Sequence, residues 1–480
     1  MATNIIQHPL FTFLPVGQDV IFTVTNDNIV TNTNNTRVKF VAEVHISNEP
    51  IDLSNNNNVV GTFKTTPNAV ASGIFNFSPI IENYVKADNM ALENSKYKGT
   101  TNTKLNTPIH LIDKFSRNNN SFRYFAIQFK VEYFDNDPDN LTTYQTLVTT
   151  GFKNSDEYNL FNGYLKYSDL LTVGAFSGNN FGYDLESFNL SYNQTTNGFL
   201  SNAPVVQYAN INDYGTVAML NIANTFDSHD NGVKTISISY LNAAGGSLGG
   251  EFLDITDVAS GGYPYTEMSR GKNMLIYIGL FPGNLQNYST DFIANKDDID
   301  SITYSVISFF GGVSAPASKT YTIKINCPTL KGYEPIRLAW LNQWGAWDYY
   351  TFTMKSSKTT STKGTTYRQL EGTWNSDIYR LDGFKGGKKA FRVNATEKIT
   401  MNTDFVSESE SEWFQELINS PEVYILDGFQ TDITNPSLNN YSTPVRLTTK
   451  SYTKKTVAND KLMQYTFEVE KTKTLRTQSV

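Results

Sequence analysis

The chain carries 480 residues with a formal net charge of −7; 18% of them are charged and 13% aromatic. That length accommodates two to four domains with cores of their own, and the aromatic content excludes a disordered chain. Without a long basic block a general nucleic-acid-binding face is excluded as well, because neutralising phosphate needs clustered Lys and Arg.

In chain order, residues 1–9 hold neither a basic nor an apolar region, and no 18-residue apolar stretch follows. The expectation is no secretory leader and no membrane partner. Alternation of apolar and polar residues then recurs from end to end, the period-2 pattern of half-buried strands. Residues 38–46 and 125–133 are clear early cases, and the alternation puts His45 on the solvent side of its strand. After the strand-like 73–77, Ser78-Pro79 offers a helix N-cap with proline behind it, for one or two turns. Residues 135–140 space their acids as a calcium loop does. However, Asn140 stands where glycine is needed and Thr146 where a bidentate glutamate is needed, so the segment reads as an acidic turn.

The turn pair Asn197-Gly198 marks a boundary between a first β domain, residues 1–197, and a second, residues 198–330. The second has strand-like segments near 205, 217, 236, 277, 304 and 323. With turns at 243–250, Gly261-Gly262 and Gly311-Gly312, that count suits an immunoglobulin-like sandwich. The lone Cys327 reads as a buried free thiol and excludes a disulfide framework. Pro328 and Pro335 interrupt the strand pattern and open a third β domain, residues 331–480. The expected fold class is therefore mainly β: three sandwich- or barrel-like domains in tandem with a few short helices.

All five tryptophans fall between positions 340 and 413. Residues 336–341 and 346–354 read as two strands around the turn Asn342-Gln343-Trp344-Gly345, with Gly345 free to take a positive φ. A four-residue loop pairs Trp340 with Trp347 in a cross-strand aromatic ladder that includes Tyr349. Trp344, placed in the turn, is the residue with least intrachain reason to be large, so Trp344, Trp347 and Tyr349 are the candidate interface residues. Farther on, Lys385, Lys388, Lys389 and Arg392 surround Gly386-Gly387 as a solvated hairpin tip, and Ser409 with Glu412 forms a capping box for a helix over about residues 409–419.

Catalytic signals are missing. The histidines, His8, His45, His110 and His229, stand far apart, and no nucleophile elbow, phosphate-binding loop or dinucleotide fingerprint occurs. No catalytic, cofactor-binding or metal-ligating residue is assigned, and no enzymatic activity is expected.

The block Leu341-Asn342-Gln343-Trp344-Gly345-Ala346-Trp347-Asp348, followed by Phe352, resembles a recurrent block in virion proteins of tailed bacteriophages, notably short-tailed and crAss-like phages of Bacteroidota. Residues 40–44 with 73–81, and 199–204 with 212–214, resemble the same group. The resemblance implies a tail or neck component, a homomeric ring, hub or baseplate-like protein of the virion, and no catalytic residues. The C-terminal order of strands, one helix and more strands is similar to the tail-tube fold. The partners so implied are further copies of the chain and other tail proteins, with DNA enclosed but not specifically bound. The alternative is a carbohydrate- or receptor-binding surface protein, since Tyr and Trp stack on sugars.

Overall fold

The computed structural model describes residues 3–54, 58–87, 89–91, 108–117, 120–170, 188, 190, 193, 195–221, 234–255, 274–310, 313–326, 332–373, 377–427, 441–451, 453, 463–473 and 475–476. Cys327, His229, Trp374, Gly261-Gly262 and Gly311-Gly312 lie outside them. The fold is mainly β, with several sheets and short helices. Two compact units divide the chain. The first holds Met1–Gln207, Tyr214–Ile325 and Leu341–Asp348; the second holds Tyr208–Asp213, Asn326–Trp340 and Tyr349–Val480.

In the first unit, the strands Asn4–Gln7, Ile21–Thr25 and Ser72–Asn76 make a three-stranded sheet. A second sheet is ordered Phe13–Pro15, Tyr158–Phe161, Phe122–Asp135, Asn35–Ser47, Val59–Thr65, with Leu147–Asn154 also paired to Phe122–Asp135. Phe22 and Phe75 from the smaller sheet meet Phe129 from the larger one at 5.7 Å between ring centres, so the two sheets share one apolar core. Fully burying each such side chain contributes roughly 1.5–3 kcal/mol. Gly73 lies against the Phe40 ring, leaving no room for a Cβ.

A further sheet, most of it in this unit, is ordered Val206–Asn210, Tyr321–Asn326, Ser301–Phe310, Lys234–Leu241, Ser247–Asp254, with Val313–Pro316 also on Ser301–Phe310. The hairpin expected around 243–250 is there, with Gly245 at φ 79°. Thr216–Asn221, Met274–Gly279 and Phe115–Arg117 form another sheet, in which Ile276 pairs with Arg117 and Ile278 with Phe115. That pairing corrects the boundary expected at 197/198. A strand from before it completes a sheet with strands from after it, and local turn chemistry carries no record of such long-range pairing.

Most of an eight-stranded sheet lies in the second unit, in the order Trp347–Phe352, Ile336–Leu341, Val423–Leu426, Ser442–Leu447, Thr466–Lys471, Gly387–Asn402, Ser357–Gln369, with Leu475–Arg476 also on Gly387–Asn402. The helix Glu408–Asn419 covers its core. Trp413 packs on Trp340 at 4.8 Å, and Phe414 lies 5.6 Å from Phe467 and 4.8 Å from Tyr350. Ser407, not Ser409, caps the helix, its hydroxyl accepting from the Glu410 amide while the Glu410 carboxylate accepts from the Ser407 amide. The string 407–412 alternates Ser and Glu, so the Ser-x-x-Glu spacing occurs twice, and the local pattern does not choose between the two registers.

Candidate assembly site

The tryptophan turn is an interior element of the first unit. The Asn342 amide donates to the Ala346 carbonyl at 2.8 Å, and Gly345 takes φ 73° as the turn requires. The side-chain oxygen of Asn342 accepts from the amides of Trp344 and Ala346, both at 3.0 Å, while its nitrogen donates to the Leu200 carbonyl at 2.9 Å and to Asp348 at 3.0 Å. Gln343 donates to Asp169 at 2.6 Å and to the Tyr164 carbonyl at 3.0 Å. Ser201 donates to Asp348 at 2.7 Å, and the Tyr277 hydroxyl donates to the Gly345 carbonyl at 3.3 Å.

This placement corrects the expected interface. Trp344 is 2% exposed and packs on Phe188 at 4.8 Å; Trp347 is 2% exposed and meets His110 edge-on at 5.0 Å. Tyr349, 3% exposed, lies in the second unit under the Arg337 guanidinium, 5.2 Å from its ring centre. Side chains so enclosed offer no area to a neighbour or a sugar. The expected ladder is replaced too, since Trp340 packs against Trp413 with the rings tilted while Trp347 meets His110.

Exposed surface suited to assembly lies elsewhere in the second unit. The strands Ser357–Gln369 and Gly387–Asn402 pair antiparallel from Ser357↔Thr400 to Gln369↔Gly387, with one irregularity between Thr365 and Thr366. The hairpin tip read from Lys385, Lys388, Lys389 and Arg392 is thus the end of a long arm, and its distal residues are exposed on both faces. Leu381, Tyr379 and Phe384 are exposed at this end, Phe384 at 79%. The end has internal order: the Thr373 amide donates to the Arg380 carbonyl at 2.9 Å, and Lys385 pairs with Asp382 at 2.9 Å.

Where the arm meets the body, a cavity of about 530 Å³ opens among Tyr208, Tyr350, Asp404, Phe405, Glu408 and Glu410, with Asn326, Thr351, Thr353 and Ser407 completing its wall. Among the described residues, three carboxylates and no basic side chain line it. Burial pushes the Tyr350 phenol above its ordinary pKa, and the nearby Glu410 and Asp404 carboxylates push it further the same way. Beside it, Arg337 donates to Thr351 at 2.8 Å and pairs with Asp213 at 3.3 Å, and Thr351 donates to Asp213 at 2.7 Å. Sequence reasoning missed this cavity because Tyr208, Tyr350 and Asp404 are far apart along the chain. The run of exposed-type residues between two extended segments at 357–402 was the one available signal for the arm.

Among the described residues, no group of three or more His, Cys, Asp or Glu is placed to hold a metal ion, and no helix is long and apolar enough to cross a membrane. Asp135 accepts from the Thr143 hydroxyl at 2.6 Å, the Asp137 amide at 2.9 Å and the Asn140 amide group at 3.2 Å, so the acidic turn is organised by hydrogen bonds.

No family model matches the chain, and no curated protein matches it. Among solved structures it is similar at 10% identity and a TM-score of 0.14 to a biofilm associated protein BSP domain, over 83% of this chain. The match spans 63% of that structure's length.

Proposed function

We propose that the chain is a structural protein of a tailed-phage virion, assembling with copies of itself into a ring or hub in the tail or neck. The arm carries this reading. A two-stranded hairpin is marginal in water by itself, and one exposed on both faces contributes little to the core of its own chain. Its long reach and apolar end suit contact with a neighbouring subunit. The resemblance of the block 341–348 to phage virion proteins supports the same assignment, with virion tail as the place of action and other tail proteins as further partners.

A net charge of −7 suits a ring around a DNA path, because a bore without clustered positive charge does not retain phosphate. Negative-stain images of the purified protein are expected to show closed rings. Monomers alone, with the neighbouring tail proteins present, would count against the reading, and a bore lined by Lys and Arg would remove its DNA-path component.

A further inference from the structure

The far end of the arm and the cavity at its base are complementary in charge and in apolar surface. From 365 to 392 the arm carries Arg368, Arg380, Lys385, Lys388, Lys389 and Arg392 against Glu371, Asp377 and Asp382. Lys388 and Lys389 are exposed, next to the exposed Phe391. The cavity offers the opposite chemistry, Asp404, Glu408 and Glu410 with the exposed rings of Tyr208 and Phe405. An aromatic core rimmed by opposite charges is the composition of a specific protein contact.

The arm cannot serve its own cavity. Twelve residue steps of ladder, interrupted once between Thr365 and Thr366, separate Ser357 from Gln369, about 40 Å at strand rise. Asp404 and Phe405 follow directly on the base of that ladder, at the end opposite Phe384. Folding back would break the pairing. The outer strand of the arm, Ser357–Gln369, is mostly Ser, Thr and Lys, a composition that discourages strand addition along its edge. Contact therefore falls to the tip.

We propose that the arm tip of one copy docks into the acidic, aromatic cavity of a second copy. The inference rests on the ring reading and supplies its contact. Each chain presents this tip and this cavity, two different patches, which is the heterologous arrangement that a ring requires.

A charge-swap experiment on the full-length chain tests it. Lys388→Glu with Lys389→Glu reverses the tip, and Asp404→Lys with Glu408→Lys reverses the cavity. Asp404→Asn with Glu408→Gln probes the cavity without reversal and leaves the Ser407–Glu410 cap intact. Sedimentation velocity reads self-association, and thermal melting confirms folding. Each reversed variant alone is expected to associate about a hundredfold more weakly than the wild type, and an equimolar mixture to recover to within about tenfold, as reversed tip meets reversed cavity. Variants that assemble as the wild type does overturn the docking and leave the ring reading standing. Failure of the mixture to recover overturns the pairing of tip with cavity. A wild type that stays monomeric at every concentration overturns both.

Discussion

Asn342 uses both ends of its amide, two acceptances at the oxygen and two donations from the nitrogen, all buried. Asn342→Asp keeps the shape but sets a second carboxylate against Asp348 and the Leu200 carbonyl; a loss of about 3 kcal/mol is expected in urea unfolding. A loss under about 0.5 kcal/mol would show that the turn tolerates the charge. His45 is a second residue whose position decides its chemistry. Alternation put it toward solvent, yet it is 1% exposed and Val41, on the same side of the strand, is buried as well. Both faces of Asn35–Ser47 are covered there, which alternation within one strand cannot report. Burial lowers the imidazole pKa, with the Glu43 carboxylate opposing it only in part. The unfolded chain therefore takes up the proton first. Stability should be full above about pH 6.5 and fall as pH drops below that value. Melting temperatures from pH 7.5 to 5.5 should decline more steeply in the wild type than in His45→Leu; equal slopes would clear His45 as the cause.

At the scale of elements, the helix and the arm behave oppositely. Glu408–Asn419 holds Trp413, Phe414 and Leu417 in the core, and its start depends on the reciprocal Ser407–Glu410 bonds. Ser407→Ala should cost about 1 kcal/mol, measured by chemical denaturation, and Ser409→Ala much less. The reverse order would restore the later cap. Helix and strand patterns here were legible because Trp413, Leu417, Phe414 and Ile418 recur at helical spacing. The two-residue offset was not, since Ser409 satisfies the same local rule. The distal arm, by contrast, buries little. Replacing residues 365–392 by Asn-Gly between the paired Gly364 and Val393 is expected to shift the melting temperature by no more than about 4 °C, less than 1 kcal/mol. A larger drop would mean that the arm supports the body.

At the scale of the whole molecule, strand pairing across position 197 ties distant parts of the chain together. The Asn284 side chain donates to the carbonyls of His110 at 2.9 Å and Ile112 at 2.7 Å, and Phe115–Arg117 closes the sheet that Met274–Gly279 begins. A fragment of residues 198–330 is therefore expected to lack dispersed amide signals in a proton–nitrogen NMR spectrum. A well-dispersed spectrum would reinstate the boundary. By itself the sequence determined the β class, the strands it named, the positive-φ glycine of the tryptophan turn and the places of two of the short helices, though not their caps: Phe77, not Ser78, stands at the N-cap of Ser78–Ile81. Each of these follows from interactions within a few residues, whose period and turn chemistry are written locally. Tertiary structure alone decided that Trp344 and Trp347 are enclosed, that His45 is covered, that residues before and after 197 share a sheet, and that Tyr208 and Asp404 line one cavity. Those outcomes depend on pairings between residues tens to hundreds of positions apart, and one strand's alternation does not specify which partner covers it.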